Sequence, residues 1–446
     1  MSLWFLLVYL ALQLGLGLWL SRGIKSEGDF FVGGRKLGTA LVAFSMFATW
    51  FGAETCLGSS GAIYESGLSG ARADPLGYSL CLLFLGVFLA VPLWRGGYMT
   101  LADLYRARYG VGIERLAVLV LVPSSIIWAA AQIRAFGQVV SATMDVEVTL
   151  AIYCAAAFVI AYTFFGGLLG DVYTDLIQGI ILSLSLVVML VVGISALGGP
   201  ADAITGIESQ RWSLLEASEN PWQQIDRWSI PIMGSLVAQE LIARVAASKS
   251  AQTARNASFW ACALYLFVGS SPVVLGLLGP HLVPNLDDPE SLLPTLASRL
   301  LPSFWYAVFS CALISAILST IDSVLLACSA LLSHNVAAPL FNVKSERGRL
   351  HWARGFVVAS GIIALVIALY AESIYDLVET ASAFGTAGVL VTTFIALYLP
   401  RGGREAAAAA LIAGLITTPI AEYLLELSAP FLTSIAMAGL SYALVA

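Results

Sequence analysis

The segment Ala316-Ile-Leu-Ser319-Thr320-Ile-Asp322-Ser323 places Ala316, Ser319, Thr320 and Ser323 on one helical face, because side chains three and four residues apart lie above one another. A backbone carbonyl and two hydroxyls on that face are hard oxygen donors suited to a small hard cation, and the Asp322 carboxylate sits beside them. Ser and Thr also hydrogen-bond within helical bundles, so the face alone leaves both readings open. Ionisable residues interrupt apolar stretches at Glu54, Arg134, Asp175, Glu240, Asp322 and Glu379. Inside a membrane such groups are costly and mark solute paths, proton relays or paired sites. Arg134 can present a bidentate fork to a carboxylate. Two partners are open to it: a solute carboxylate, or a structural pair with Glu54 or Glu379. The histidines His281, His334 and His351 fall in loops or at loop edges, and no nucleophile/base pair or metal-ligand spacing accompanies them. An enzyme is not expected.

These residues need elements to hold them. Of 446 residues, 59% are hydrophobic and 11% charged, against about 25% charged in soluble domains. That excludes an ordinary soluble domain, a disordered chain and a nucleic-acid binder, and leaves an all-α polytopic membrane protein. A span needs about 20 apolar residues, and about thirteen stretches qualify: 2–21, 39–66, 75–94, 115–143, 149–166, 172–197, 228–247, 254–279, 302–333, 353–371, 375–399, 406–424 and 427–445. With the N-terminus outside, the outer side holds Arg72, Arg211, Arg227 and Arg299, and Arg134 lies within a helix. The remaining basic residues, Arg244 among them, fall on inner loops. This is a positive-inside distribution, and an odd helix count puts the C-terminus inside. The sequon Asn256-Ala-Ser258 falls on the inner side, which suits a multi-pass protein of a bacterial inner (plasma) membrane.

Two helices carry interruption signals. The second contains Gly52, Gly58, Ser59, Ser60 and Gly61; the seventh has Pro231 and Gly234 ahead of Gln239-Glu240. Broken helices at matching places of two repeats mark a midplane binding site in transporters, whereas glycines alone also serve close helix packing. The expected organisation is one transmembrane domain over 1–446. It has a first helix and inner loop (1–38), two repeats (39–197 and 198–399) and C-terminal helices (400–446).

The motifs Asp29-Phe-Phe-Val-Gly-Gly-Arg35, Thr100-Leu-Ala-Asp103, Tyr162-Thr-Phe-Phe-Gly166-Gly167, Tyr173-Thr-Asp175, Gln239 through Arg244 and Ser319-Thr320-Ile-Asp322-Ser323 give the chain a resemblance to the sodium/solute symporter family from about Asp29 to Leu399. The resemblance implies a five-plus-five inverted repeat, the LeuT-type fold, and sodium as coupling ion. By matching position it implies a principal sodium site at Ala48, Phe51, Ala316, Ser319 and Thr320. A second sodium site, present in some members, would fall at Asp175, Ser319, Asp322 and Ser323, where Asp322 either strengthens the site or is an internal acceptor. Ala48-Thr-Trp50-Phe-Gly52, Gly77-Tyr78, Trp128-Ala-Ala-Ala and Asp145-Val-Glu-Val are most similar to the choline-transporting branch. Trp50, Tyr78 and Trp128 match positions of an aromatic cage, but the Trp expected on the seventh helix is Ala238. Arg134 looks like the carboxylate-binding Arg of sialic acid transporters, and would repel a quaternary ammonium.

The expected function is sodium-coupled symport, by alternating access, of a small organic solute that bears a carboxylate or is zwitterionic. Its contacts would be Trp50, Gly52, Glu54, Tyr78, Trp128, Arg134, Gln239 and Glu379. The alternatives are transport of choline-like or uncharged solutes, or a transporter-like sensor or channel. The expected partners are the solute and the lipid bilayer, with no nucleic acid and no obligate protein partner.

Overall fold

The computed structural model describes residues 3–144, 146–216, 218–371 and 373–446; Asp145, quoted above, lies outside them. The described elements are helical. One parallel bridge pairs Leu37 with Ser248: Leu37 N–H donates to the Ala247 carbonyl at 3.1 Å and Lys249 N–H to the Leu37 carbonyl at 3.0 Å. Among the described residues, eight helices are long and apolar enough to cross a membrane, or nine if the bent pair Pro221–Val237 and Gln239–Ala247 is one span. Leu7–Trp19, Thr39–Trp50 and Pro430–Val445 are shorter apolar helices.

Both expected interruptions are present. Thr39–Trp50 stops at Phe51 (φ −83°, ψ 65°), and the chain resumes as a widened turn at Glu54–Gly58 and a helix at Ser59–Ser66. The partner element runs as Pro221–Ser229, a widened turn Ile230–Gly234 and a tight turn Ser235–Val237. It then breaks at the extended Ala238 (φ −63°, ψ 126°) and continues as Gln239–Ala247, bent by 47°. Widened turns of this kind concentrate at functional sites. Gly234 is required by proximity, because a Cβ there would lie 2.3 Å from the Ser382 carbonyl oxygen. A third break falls inside Val148–Ala196 at Gly167, whose φ of 58° suits only glycine without strain. It separates the stretches read as 149–166 and 172–197.

Ser303–Ala330 is the axis of the bundle. Every residue from Phe309 to Ala330 is buried, as expected of a helix that is apolar all round. It packs on Val148–Ala196, Val111–Met144, Glu346–Tyr370 and Thr39–Trp50. Two of the motifs turn out to be helix caps. The Ser26 hydroxyl accepts from Asp29 N–H at 3.1 Å and the Thr100 hydroxyl from Asp103 N–H at 3.3 Å, with each aspartate closing a reciprocal capping box.

Candidate functional site: a cation face, an aromatic cluster and two buried charge networks

The Ala316 face of the axial helix meets the first broken helix at its break. Ser319 Oγ lies 2.7 Å from the Ala48 carbonyl and 2.8 Å from the Ala316 carbonyl, and Thr320 Oγ1 is 3.2 Å from the Ala316 carbonyl. Phe51 closes the helical half, packing on Phe47 and Tyr265 at 5.0 and 5.3 Å between ring centroids. Two carbonyls and two hydroxyls thus converge where the helix ladder is open. Here the hydroxyls donate to the carbonyls, so a cation entering would take over oxygens that now satisfy one another.

Breaking a helix frees backbone N–H groups that need acceptors. One is met by Gln132, whose Oε1 accepts from Ala53 N–H at 2.9 Å while its Nε2 donates to Glu54 Oε2. Gly52 leaves room for this. A Cβ there would lie 2.5 Å from Thr320 Oγ1, 2.7 Å from Gln132 Oε1 and 2.9 Å from Glu54 Oε2.

Trp50, Tyr78 and Trp128 come together as expected. The Trp50 ring lies 5.3 Å from Tyr78 and 5.8 Å from Trp128, and its indole N–H donates to Glu240 at 3.1 Å. A cavity of about 20 Å³ flanks each side of the cluster. One is lined by Glu54, Arg72, Asp74, Tyr78, Arg227, Tyr375 and Glu379. The other is lined by Trp128, Ser235, Ala238, Gln239, Glu240 and Ser382. Tyr78 Oη and Ser382 Oγ, 3.2 Å apart, join the two. The first shares Arg227, Ile230 and Glu379 with a vestibule of about 560 Å³, which is within the range of small-molecule sites. The small cavities hold about one water each, so the solute path is closed between vestibule and cluster. Gln239 is only half committed: its Oε1 accepts from Leu101 N–H at 2.8 Å.

Arg134 is placed elsewhere. Two residues on from Gln132, it points about 200° around the helix and donates to the Ala368 carbonyl at 3.4 Å. The structure does not bring it to the aromatic cluster.

The expected second cation position gathers Asp175, Asp322 and Ser323, but around a guanidinium. Arg244, assigned from the sequence to an inner loop, is fully buried. It donates to Asp171 and Ser323, reaches Asp175 at 3.5 Å and gives its Nε–H to Ser45 at 3.1 Å. Ser45 in turn donates to Asp175 at 2.6 Å, and Asp322 accepts from Ser323 N–H at 2.9 Å. Arg134 is therefore not the one arginine within the bundle. The distribution rule placed Arg244 in a loop because it lies near a span end; its four-residue spacing from Glu240 was the available signal that it shares the buried face. Asp74 was also missed. It is 1% exposed, and its Oδ2 accepts from Thr55 at 2.6 Å and Tyr265 at 2.9 Å. The neighbouring Arg72 and Pro75 made its surroundings read as a loop.

A last network joins distant segments. His334 lies 3.2 Å from Glu27 and 3.3 Å from Asp103. Arg349 reaches Glu27 at 3.0 Å, and Asn335 donates to Asp103 at 2.8 Å and Glu114 at 2.9 Å. Burial pushes the Glu27 and Asp103 carboxyls up, but hydrogen bonds and charge outweigh it. His334 acts on both, with Arg349 on Glu27 and backbone N–H groups on Asp103, and both end below their ordinary values.

Comparison with known proteins gives concordant results. The family model described as "Sodium:solute symporter family" matches residues 30–414. The chain is 29% identical over 392 residues to a high-affinity choline transporter of Drosophila melanogaster, covering 83% of this chain and 62% of that protein. It is 28% identical to the human high affinity choline transporter, with 83% and 68% covered. With a sodium/pantothenate symporter of Haemophilus influenzae it shares 26% identity over 73% and 70%. The chain thus spans about three fifths of the length of the Drosophila relative. Among solved structures, a Na+-coupled sialic acid symporter in a substrate-bound outward-open state matches with TM-score 0.83 at 18% identity, over 99% of this chain and 95% of that one. A nucleobase-cation-symport-1 family transporter in a closed conformation matches with TM-score 0.67 at 14% identity, over 93% and 92%. At those identities the likeness is one of fold.

Proposed function

Because the chain belongs to the sodium:solute symporter family, a family of transporters and not of enzymes, we propose that it is a sodium-coupled secondary active symporter of a small organic solute. The observation that carries this reading is the meeting of the Ala48 and Ala316 carbonyls with the Ser319 and Thr320 hydroxyls at the break after Trp50. Neutral oxygens in a desolvated, water-poor setting suit a small hard monovalent cation, and the matched helix break beside Ala238 supplies the second half of a midplane site. Sodium is assigned to this position alone. At Asp175, Asp322 and Ser323 the Arg244 guanidinium already supplies positive charge.

The transport cycle follows from these parts. Sodium bound across the break ties the first broken helix to the axial helix and holds the Trp50 end in place. Solute enters from the vestibule past Arg227 and Glu379 to the cluster of Trp50, Tyr78 and Trp128. Inward opening then requires the His334 network to part. Each net charge carried inward down a potential of 100 mV contributes about 2.3 kcal/mol. The organisation that supports alternating access is the two repeats 39–197 and 198–399, with thirteen crossings, the N-terminus outside and the C-terminus inside a plasma membrane, in a bacterium the inner membrane.

A second reading, transport of a choline-like solute, is favoured by the aromatic cluster and by the names of the choline-transporter relatives; Ala238 at the place of a cage Trp weighs against it. The test is uptake into proteoliposomes with an imposed inward sodium gradient. Gradient-driven accumulation is expected. Uptake indifferent to sodium would overturn symport and favour a channel, and ligand binding without any uptake would favour a sensor.

A further inference from the structure

Four buried polar atoms around the aromatic cluster have no hydrogen-bond partner among the described residues: Glu54 Oε1, Asp74 Oδ1, Trp128 Nε1 and Gln239 Nε2. Their residues are 2%, 1%, 8% and 1% exposed. The two acceptors line the cavity on the vestibule side, and the two donors line the cavity beyond the cluster. The other polar atoms of three of these side chains are already committed. Glu54 Oε2 accepts from Gln132, Asp74 Oδ2 from Thr55 and Tyr265, and Gln239 Oε1 from Leu101 N–H. Turning the free atoms toward the protein would break those bonds. Trp128 Nε1 lies near the Glu54 carboxyl but out of hydrogen-bonding geometry with it. Buried polar groups in proteins are nearly always satisfied; other unpartnered atoms lie elsewhere in the chain, but these four line two joined cavities, which is where a ligand would meet them.

Resting on the symporter reading above, we infer that the solute is a small protonated amine bearing N–H groups at one end and a hydrogen-bond acceptor at the other. The ammonium end meets Glu54 and Asp74; the acceptor end, a hydroxyl, carbonyl or carboxylate oxygen, meets Trp128 and Gln239. Charge agrees with that orientation. The two arginines lining the vestibule-side cavity are both held by Glu219, Arg72 at 2.6 Å and Arg227 at 3.1 Å. Among the described residues, Glu54 and Asp74 have no such cation. A quaternary ammonium has no N–H to give, and would leave both acceptor oxygens unpaired. Arg134, turned toward Ala368, is not required for the acceptor end.

The experiment uses the purified full chain in sodium and a panel of matched solutes, scored by thermal stabilisation and by proteoliposome uptake. Ethanolamine is compared with choline and ethylene glycol, and glycine with glycine betaine and glycolate. At least one N–H amine should bind ten-fold or more tightly than its quaternary and uncharged or anionic counterparts. Glu54→Gln and Asp74→Asn, tested separately and each required to melt cooperatively, should each weaken it at least ten-fold. The inference is overturned if no N–H amine binds, if a quaternary counterpart binds as tightly, or if neither variant weakens binding. Should both variants fail to fold, the wild-type panel decides alone. Failure of the underlying reading looks different: sodium-driven uptake of choline without ethanolamine sinks the amine and keeps symport, whereas sodium-indifferent uptake of ethanolamine does the reverse.

Discussion

Replacing Arg244 by methionine removes one positive charge from a site where it faces Asp171 and Asp175 directly, with Asp322 as a further nearby acid. The volume is nearly kept, so the change isolates charge and hydrogen bonding. Truncating one partner of a fully desolvated pair leaves the other uncompensated and costs about 3–5 kcal/mol, and here the Ser45 and Ser323 contacts go as well. An arginine in an exposed loop, as the positive-inside pattern placed it, would change stability by about 0.5 kcal/mol or less. The two expectations differ several-fold, which makes the measurement decisive. Detergent-solubilised protein, unfolded in parallel with wild type and followed by tryptophan fluorescence, should show a loss of at least about 3 kcal/mol. Adding Asp171→Asn to the same chain removes the acid that Arg244 pairs with most closely. The double variant should recover a substantial part of the loss, a non-additivity of about 0.5–3 kcal/mol. A single-variant loss under about 1 kcal/mol, or strictly additive effects, would refute the buried network.

Ser319→Ala with Thr320→Ala removes both hydroxyls of the cation face and should raise the sodium concentration for half-maximal uptake at least ten-fold, about 1.4 kcal/mol; an unchanged sodium dependence contradicts that assignment. Arg134→Ala should leave solute affinity within about three-fold, under 1 kcal/mol, and a selective loss of carboxylate solutes would instead return Arg134 to the solute path. Glu27 has its carboxyl held below the ordinary value of 4.5, so its contribution to stability is present above that value and lost as pH falls through the depressed one. Glu27→Gln should therefore lower the melting temperature at pH 7 and lose most of that effect well below pH 4.5; a gap that is constant across the range would show that Glu27 acts by packing alone. Gly234→Ala forces a Cβ to 2.3 Å from the Ser382 carbonyl and should abolish uptake while the protein still melts cooperatively; full activity would mean that the second broken helix can move away freely.

What could be read in the sequence followed the range of the interactions involved. Helix breaks at Gly52 and Gly234, the hydroxyl face at Ser319 and Thr320 and the aromatic trio are local patterns, or patterns carried by the family resemblance, and the structure brings those residues together. Arg244 was misplaced because loop-charge counting assigns position from distance along the chain to a span end, and it sits three residues before the end of Gln239–Ala247. Its burial depends on Asp171 and Asp175, which lie some seventy positions away. Asp74 escaped for a related reason. It is next to a proline in a segment without helical period, and its partner Tyr265 is 191 residues distant. Arg134 was read correctly as lying within a helix, but its direction around that helix is settled by Gln132, whose role as cap for Ala53 appears only once the break is in place.

The emptiness at Gly52 has a consequence for thermodynamic linkage. The spot where a methyl would stand touches Thr320 of the cation face, Gln132 of the cap and Glu54 of the solute cavity. With sodium and solute at the positions proposed above, occupancy at either would be communicated across little more than one side chain, that of Gln132, which is bonded to the backbone of the break with one end and to the acid with the other. Whatever free energy sodium lends to solute binding would be returned in equal measure, over a path short enough that the bundle need not rearrange to carry it. Evolution of a new solute preference at Glu54 would then alter the ion dependence as well, because the two specificities share a residue that neither ligand touches.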